Sequence, residues 1–506
     1  MGKKSHSNDA RGKQSNFSKN GLQTTGVKKL PPHKRNELNQ LLDKILKVSS
    51  SVPESANISK EWEAYQEIQK VLSKVKLIEA DLQQSLPSRA SAVEEFLSWL
   101  RNNNVEFDGL KIAEYPGLDF GIEAEKDFKE GDMMIAVPRS VMLTVENVHQ
   151  SPFRELATKD PLIVHMPNVA LALLVLLQRR EPLSFWKPYI NMLPQRYTTV
   201  LYFSPDEIVQ LKGSPAFEMA LRQCRSIARQ YAYFSKLFQN ANDEASSILR
   251  EVFTYEEYCW AVSTVMTRQN TVVTADGSGT TQALIPLWDM CNHTDGKLST
   301  DFNVSLDRSE CVAWRPVAKG KQVFIFYGDR PNCELLIHNG FVHPGSACDA
   351  VRLRLGVAKA DPLHAEKAAL LHRLRLPAAG DWEVVAGPQP VLPSLKAFVR
   401  VFSMDKAQLD HWTASPSVES LQEDTCALDK ALEKRAWTFL AMRIKLLLAA
   451  YPTSKEDDEA LLGDAGDAVG KMSPCTRLAV SLRLEEKRLL VNALAFCDER
   501  LARLEA

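Results

Sequence analysis

The sequence predicts an α+β chain: a β-rich core, split by a helical insertion and followed by an all-α C-terminal region. Three observations predict it. Short β-prone runs broken by Gly, Pro and charge fill 107–145. Similar runs resume at Leu284 and continue to Phe326. Between these stretches, and again from Asp349 onward, apolar residues recur at the three-to-four spacing of an amphipathic helix.

The elements follow in order. Met1 to Ser50 holds 11 Lys and Arg against 3 Asp and Glu and is rich in Ser, Asn, Gln and Gly, so 1–58 is expected to be a basic, largely disordered tail. A helical lead-in covers 59–107, where Ser88 precedes a helix over 90–102 with Val93, Phe96, Leu97 and Leu100 on one face. The first β-rich part is 108–145, including Met133–Val137 and Val141–Val145. The insertion, 146–253, contains a helix led in by Asn168 and another opened by Ser214-Pro215, a cap followed by a first-turn proline. Leu221, Cys224, Ile227, Tyr231, Phe234 and Phe238 form the buried stripe of the second. Thr254-Tyr-Glu-Glu257 has capping-box form and starts a helix to about Arg268, which opens the second β-rich part, 254–348. Asp276-Gly-Ser-Gly-Thr280 is expected to be a turn, since a dinucleotide fingerprint needs a third glycine and a preceding strand. In 349–506 a long loop is expected between Pro377 and Pro393, a helix from Ser473-Pro474, and an amphipathic face through Leu490, Leu494, Cys497, Leu501 and Leu504.

Composition narrows the function. Lys and Arg number 62 and Asp and Glu 63, so overall charge does not select nucleic acid as a partner. The longest apolar run, Val169–Leu177, is too short to span a membrane, and the first twenty residues lack the apolar stretch of a secretory signal. None of the nine cysteines stands in a C-x-C or C-x-x-C pair, which argues against structural zinc and a disulfide framework and for a reducing compartment, cytosol or nucleus. A monomer is expected.

Two segments carry chemistry. Leu287-Trp-Asp-Met-Cys-Asn-His-Thr294 ends in an adjacent amide and imidazole. Val323-Phe-Ile-Phe-Tyr-Gly-Asp-Arg330 is an apolar run that stops at Tyr327-Gly328 and presents one phenol hydroxyl at a sheet edge. Taken singly, a polar turn, a satisfied buried tyrosine and a core Trp288 are the commoner readings. Their order and spacing, with a helical region after them, resembles the signature pair of SET-domain methyltransferases. Val265-Met-Thr-Arg-Gln-Asn270, Ile285–His293 and Ala228-Arg-Gln-Tyr-Ala-Tyr-Phe234 are similar to the actin-histidine branch of that family.

The resemblance implies a SET β-fold with a pseudoknot, interrupted by a helical insertion, and a C-terminal substrate-binding domain of the Rubisco-methyltransferase type. It implies S-adenosylmethionine as cofactor, no metal, and actin as protein substrate. Cofactor contacts are then expected from Arg89, Phe120, Arg268, Asp289, Met290, Cys291, Asn292, His293, Asn339, Gly340 and Phe341. Substrate contacts are expected from Asn168, Arg229, Gln230, Gln269, Trp288, Ile325 and Arg330, with Tyr327 and Asn270 catalytic. Two departures stand out: Leu118-Asp119 occupies the place of the family's Glu-Gly, and Asn339 that of a serine.

Methyl transfer from a sulfonium needs orientation and preorganised acceptors around the methyl group rather than a metal. Lysine, with a free pKa of about 10.4, must first shed a proton, whereas histidine, at about 6.5, is mostly a ready nucleophile at neutral pH. Histidine must instead be held as one tautomer, and the Asn270 carboxamide could do that. The alternative for Asn270 is a helix C-terminal cap. The expected activity is methylation of the tele nitrogen of a histidine in actin. The alternatives are a protein-lysine methyltransferase of the same fold and a catalytically idle peptide-binding scaffold.

Overall fold

A computed structural model of the chain describes residues 29–53, 57–82, 88–426, 428–463 and 472–505. The expectation of a largely disordered tail over 1–58 fails from Pro32 onward. Residues 1–28 lie outside the described part, but Pro32–Ser51 is a helix that buries Leu38, Leu42 and Ile45. Those apolar residues repeat at helical spacing inside a basic segment, and their burial outweighs the poor composition. The helix packs on Ile58–Glu79 and Pro215–Asn240. The latter two are joined by Arg225, whose Nε and Nη2 donate to the buried Glu61 carboxylate at 2.9 and 2.8 Å.

The helix at Ser88 forms as Arg89–Asn102, burying Phe96, Leu97 and Leu100, with Val93 half-buried. The β-core is ten short strands in three small sheets. Strands β1 (Leu110–Tyr115), β2 (Asp119–Ala124), β3 (Met133–Pro138) and β4 (Leu143–Thr144) come before the insertion. After it come β5 (Gln269–Val273), β6 (Thr280–Leu284), β7 (Asn292–His293), β8 (Thr300–Asn303), β9 (Arg308–Val312) and β10 (Gln322–Ile325). The sheet orders are β1-β2-β10-β7, β3-β9-β8 and β4-β6-β5, so each sheet joins strands from both sides of the insertion. The run Val141–Val145 supplies only the two-residue β4, because 3-10 turns flank it. Strands also resume earlier than expected: β5 and β6 pair antiparallel across 274–279, so a strand does precede the Asp276-Gly-Ser-Gly segment. That segment is nonetheless a turn, with Asp276 Oδ1 accepting from the Ser278 N–H and the Thr274 hydroxyl.

In the insertion, Pro167–Arg180 is buried almost all round, and Pro215–Asn240 buries the whole expected stripe while Ser214 Oγ accepts from the Ala216 N–H. Thr254 Oγ1 caps Tyr255–Arg268 by accepting from the Glu257 N–H at 3.2 Å, whereas the Glu257 carboxylate turns to Arg179 and Arg180.

The C-terminal region is helical but not wholly so. Strands β11 (Ala350–Gly356) and β12 (Ala379–Val385) form an antiparallel ribbon, and β12 lies inside the stretch expected to be loop. Its pattern was hidden because only Trp382 and Val384 face the core, between segments rich in Pro and Gly. The described residues form two apolar cores, and the helix Pro474–Glu505 runs through both. Cys475, Ala479 and Leu482 join the core of the β-rich body; Leu490, Ala493, Phe496 and Cys497 join that of the C-terminal region. Between them Arg483 and Lys487 pair with the buried Asp458 at 2.7 and 2.6 Å, and Arg483 Nη1 donates to the Gln210 carbonyl. Breaking such a buried set costs about 3–5 kcal/mol. No helix among the described residues is long and apolar enough to cross a membrane.

Candidate active site

The site is assembled by one parallel pairing. Strand β10 lies beside β7 with Phe324 opposite Asn292 and Ile325 opposite His293. Tyr327, two residues beyond, therefore lands against His293: its N–H donates to His293 Nδ1 at 3.2 Å, and the rings are 5.0 Å apart. The chain then turns at Gly328, which has φ +99°. The Tyr327 hydroxyl donates to the Cys291 carbonyl at 2.7 Å. Burial raises the phenol's pKa, so it stays protonated, and its oxygen keeps lone pairs to offer as an acceptor. Burial, then His343 and Arg330, pull the His293 imidazole down to about 4, leaving it neutral as its acceptor role at Nδ1 requires.

The turn that carries Cys291 is fixed from beneath. Leu287 has φ +70°, a left-handed conformation costly for a branched side chain, and leads into a single turn over Trp288–Met290. Arg268, at the end of its helix, donates from Nη1 to the Asp289 carbonyl at 2.5 Å and lies 3.4 Å from the Asp289 carboxylate. The Tyr189 hydroxyl donates to Asp289 Oδ2 at 2.5 Å. Burial raises the Asp289 carboxyl while Arg268 opposes that shift. Burial alone would lower the Arg268 guanidinium, but Asp289 and Tyr197 more than reverse it.

Asn270 lies one residue past the C-cap Gln269 and still caps the helix through its side chain. The helix ends at Arg268, and Asn270 sits in β5 opposite Ala283. Its Nδ2 donates to the Arg268 carbonyl at 3.1 Å, a bond only the amide nitrogen can make, so Oδ1 is the free end. A cavity of about 390 Å³ opens there, lined by Arg268, Gln269, Asn270, Trp288, Asp289, Ile325, Tyr327, Arg330 and Asn339 among the expected residues. Met266, Thr267, Leu298, Thr300, Phe326, Glu334 and His338 complete it. Of these, Met266, Thr267 and Phe326 fall inside motifs read in the sequence, without having been singled out there, and Leu298 is a lone large apolar residue in a polar loop. Arg330 donates to Asn339 Oδ1 at 3.2 Å, which is how the asparagine in place of serine is used.

The remaining cofactor candidates gather beside this cavity. Arg89 donates to the Met192 carbonyl at 2.8 Å, pairs with Asp119 and stacks over Phe120 at 4.8 Å. Asp119 has φ +58°, which explains why a glycine suits that position and why Asp, tolerant of this conformation, can replace it. A Cβ on Gly121 would come within 3.0 Å of Asn292 Nδ2, so Asn292 packs on the Phe120-Gly121 backbone. Gly340, at φ +76°, leaves no room for a Cβ against Thr199, and its carbonyl accepts from the Thr198 hydroxyl at 2.6 Å. Phe341 packs on His293 and Tyr327, and Met290 and Cys291 are buried behind them. Along this wall Asn292 Nδ2 and Arg268 Nε are buried donors, and Asp289 Oδ1 and Gln269 Oε1 buried acceptors, without hydrogen-bond partners. Orphan groups of both kinds fit a cofactor that carries a carboxylate and an ammonium together.

Three expected substrate contacts do not reach the cavity. Asn168 is exposed at the start of the helix Pro167–Arg180, and Arg229 is exposed on Pro215–Asn240. Gln230 is buried, with Oε1 accepting from the Tyr258 hydroxyl at 2.7 Å and Nε2 donating to Ser226, so its amide is spent inside the protein.

Comparison with known proteins agrees with this geometry. Residues 119–328 match the SET domain family and 358–490 the Rubisco LSMT substrate-binding family. The chain is 37% identical over 466 residues to the actin-histidine N-methyltransferase of Danio rerio, covering 91% of this chain and 77% of that protein. It is 37% identical over 461 residues to that of Homo sapiens, covering 90% and 76%. Among solved structures, the SET domain of LSMT bound to lysine and AdoHcy aligns with a TM-score of 0.64 at 20% identity, over 83% of this chain and 93% of that one. Rubisco LSMT bound to AdoMet aligns at 0.61, also at 20% identity, over 82% and 93%. These two share the fold. The chain belongs to the SET-domain methyltransferases, in the family of the actin-histidine N-methyltransferases.

Proposed function

We propose that the protein transfers a methyl group from S-adenosylmethionine to the tele nitrogen of a histidine in actin. The observation that carries the histidine choice is the Asn270 amide. Its nitrogen is tied to the Arg268 carbonyl, and the residue lines the cavity together with Trp288 and Tyr327. An imidazole entering there can donate its pros N–H to Asn270 Oδ1, which leaves the tele lone pair free to act as nucleophile. Trp288 supplies a flat wall for the ring. Arg89, Phe120, the 289–293 segment and 339–341 would hold the cofactor, which when bound supplies an activated methyl group. Tyr327, with its proton committed to the Cys291 carbonyl, offers its oxygen as an acceptor without competing as a nucleophile. The relatives' names support actin as the substrate. Nine free thiols support the cytosol or nucleus as its place of action.

The test is a competition between two target peptides that differ only in His or Lys at the acceptor position. Asn270→Phe removes the acceptor and adds an apolar wall. Losing that bond costs about 1–3 kcal/mol, roughly a factor of 5 to 150. The ratio of transfer rates should move toward lysine by an amount in that range. An unchanged ratio in a variant that binds cofactor normally would count against Asn270 as the selector.

A further inference from the structure

The loop after Asn292-His293 and the segment after Phe341 meet beside Tyr327. His293, Asp295 and His343, all partly exposed, bring one ligating atom each to the same spot, within 4.8 Å of one another. Neither Asp295 nor His343 lines the cavity, and the proposed transfer uses neither. We propose that these three side chains bind a divalent ion of the zinc class and that its occupancy inhibits methyl transfer.

The donor set decides the ion. Two imidazoles and a carboxylate suit zinc, with a fourth position left for water, whereas magnesium and calcium call for oxygen ligands throughout. In a tetrahedral site with bonds of about 2.0–2.2 Å, ligand atoms stand about 3.3–3.5 Å apart, so modest side-chain rotations close the present spacing. His343 Nε2 is already 3.6 Å from Asp295 Oδ1.

The supporting contacts are in place. The His343 N–H donates to Asn332 Oδ1 at 2.7 Å and its carbonyl accepts from Asn332 Nδ2 at 3.1 Å, while Asp349 accepts from both nitrogens of Asn332. Asp295 Oδ2 accepts from the Ala347 N–H at 2.8 Å and Oδ1 from the Ser346 hydroxyl at 3.2 Å. Bonds of this kind orient ligating carboxylates and leave lone pairs on both oxygens.

Inhibition follows from the third ligand. A neutral imidazole has one lone pair, and that of His293 accepts the Tyr327 N–H. Whichever ring nitrogen binds the ion, that lone pair goes to the metal. The backbone that aims the Tyr327 hydroxyl at the Cys291 carbonyl then loses its anchor. This half of the proposal rests on the methyl-transfer reading; the binding half does not.

The test uses the full chain, stripped with a chelator and titrated with Zn²⁺ by calorimetry, with Co²⁺ absorption as a second readout of the ligand set. The wild type should bind one equivalent at this site. Asp295→Asn and His343→Phe should each weaken it about tenfold or more. Zn²⁺ should depress methylation by the wild type, a chelator should restore it, and both variants should resist. Equal zinc affinity in all three proteins, or none in a wild type that methylates normally, would overturn the site. Equal inhibition of variants that no longer bind would overturn the coupling. Zinc binding in a chain inactive under every condition would count against the methyl-transfer reading instead.

Discussion

Replacing Tyr327 with Phe removes one oxygen from a ring that stays packed on His293 and Phe341. Because that oxygen is assigned to the transferring group rather than to cofactor binding, the loss should fall on the chemical step. Single-turnover rates should drop on the order of tenfold to a hundredfold, as for the loss of one buried polar contact, with cofactor affinity little changed. A wild-type rate in the variant would remove Tyr327 from catalysis. Asp119 permits a second residue-level prediction. At φ +58° an Ala should cost roughly 1 kcal/mol more than a Gly, since both lose the Arg89 contact and only Ala keeps the strained backbone. Denaturant unfolding of the two variants checks it, and equal midpoints would contradict it. At this scale the sequence was informative where chemistry is contiguous, as in Asp289–His293 and Tyr327-Gly328. It was silent where partners are distant: Tyr189 meets Asp289 from 100 residues away. It also misplaced Gln230, because a polar residue on a helix does not reveal whether its amide is spent in the interior.

Among elements, helices were legible because a three-to-four repeat persists over many residues, as in Pro215–Asn240. Strand β5 was not, being five residues long and too short to establish alternation. The helix Pro474–Glu505 was expected, but its role as a joint was not. Its Glu486 is fully buried and accepts from the Ser214 and Tyr451 hydroxyls at 2.8 and 2.9 Å. Burial pushes its carboxyl up from 4.5 to about 8, against the opposing effect of those two hydroxyls. The folded chain thus holds this proton to higher pH than the unfolded chain does. The resulting stability is complete below about pH 4.5 and is lost as pH rises through about 8. Glu486→Gln keeps both hydroxyl partners and cannot ionise, so its Tm should fall less than that of the wild type between about pH 5 and pH 8. Parallel pH profiles would contradict the assignment.

For the whole molecule, the C-terminal region cannot be treated as a removable attachment. Cutting after Asp349 would strip Cys475, Ala479 and Leu482 from the core of the β-rich body and leave Ser214 and Gln210 without their partners. The sequence set 349–506 apart as a substrate-binding domain; the helix shared by the two cores could be seen only in three dimensions. The same holds for the site, where a parallel pairing joins segments some thirty residues apart and a strand after a helix turns Asn270 toward them. This arrangement is proposed to methylate histidine. The most direct test is incubation of the intact chain with actin and isotope-labelled S-adenosylmethionine, followed by mass spectrometry of the modified residue. One labelled methyl group is expected on the tele nitrogen of an actin histidine, strongly reduced with Tyr327→Phe. Label on a lysine, or no label from a chain that binds the cofactor, would contradict it.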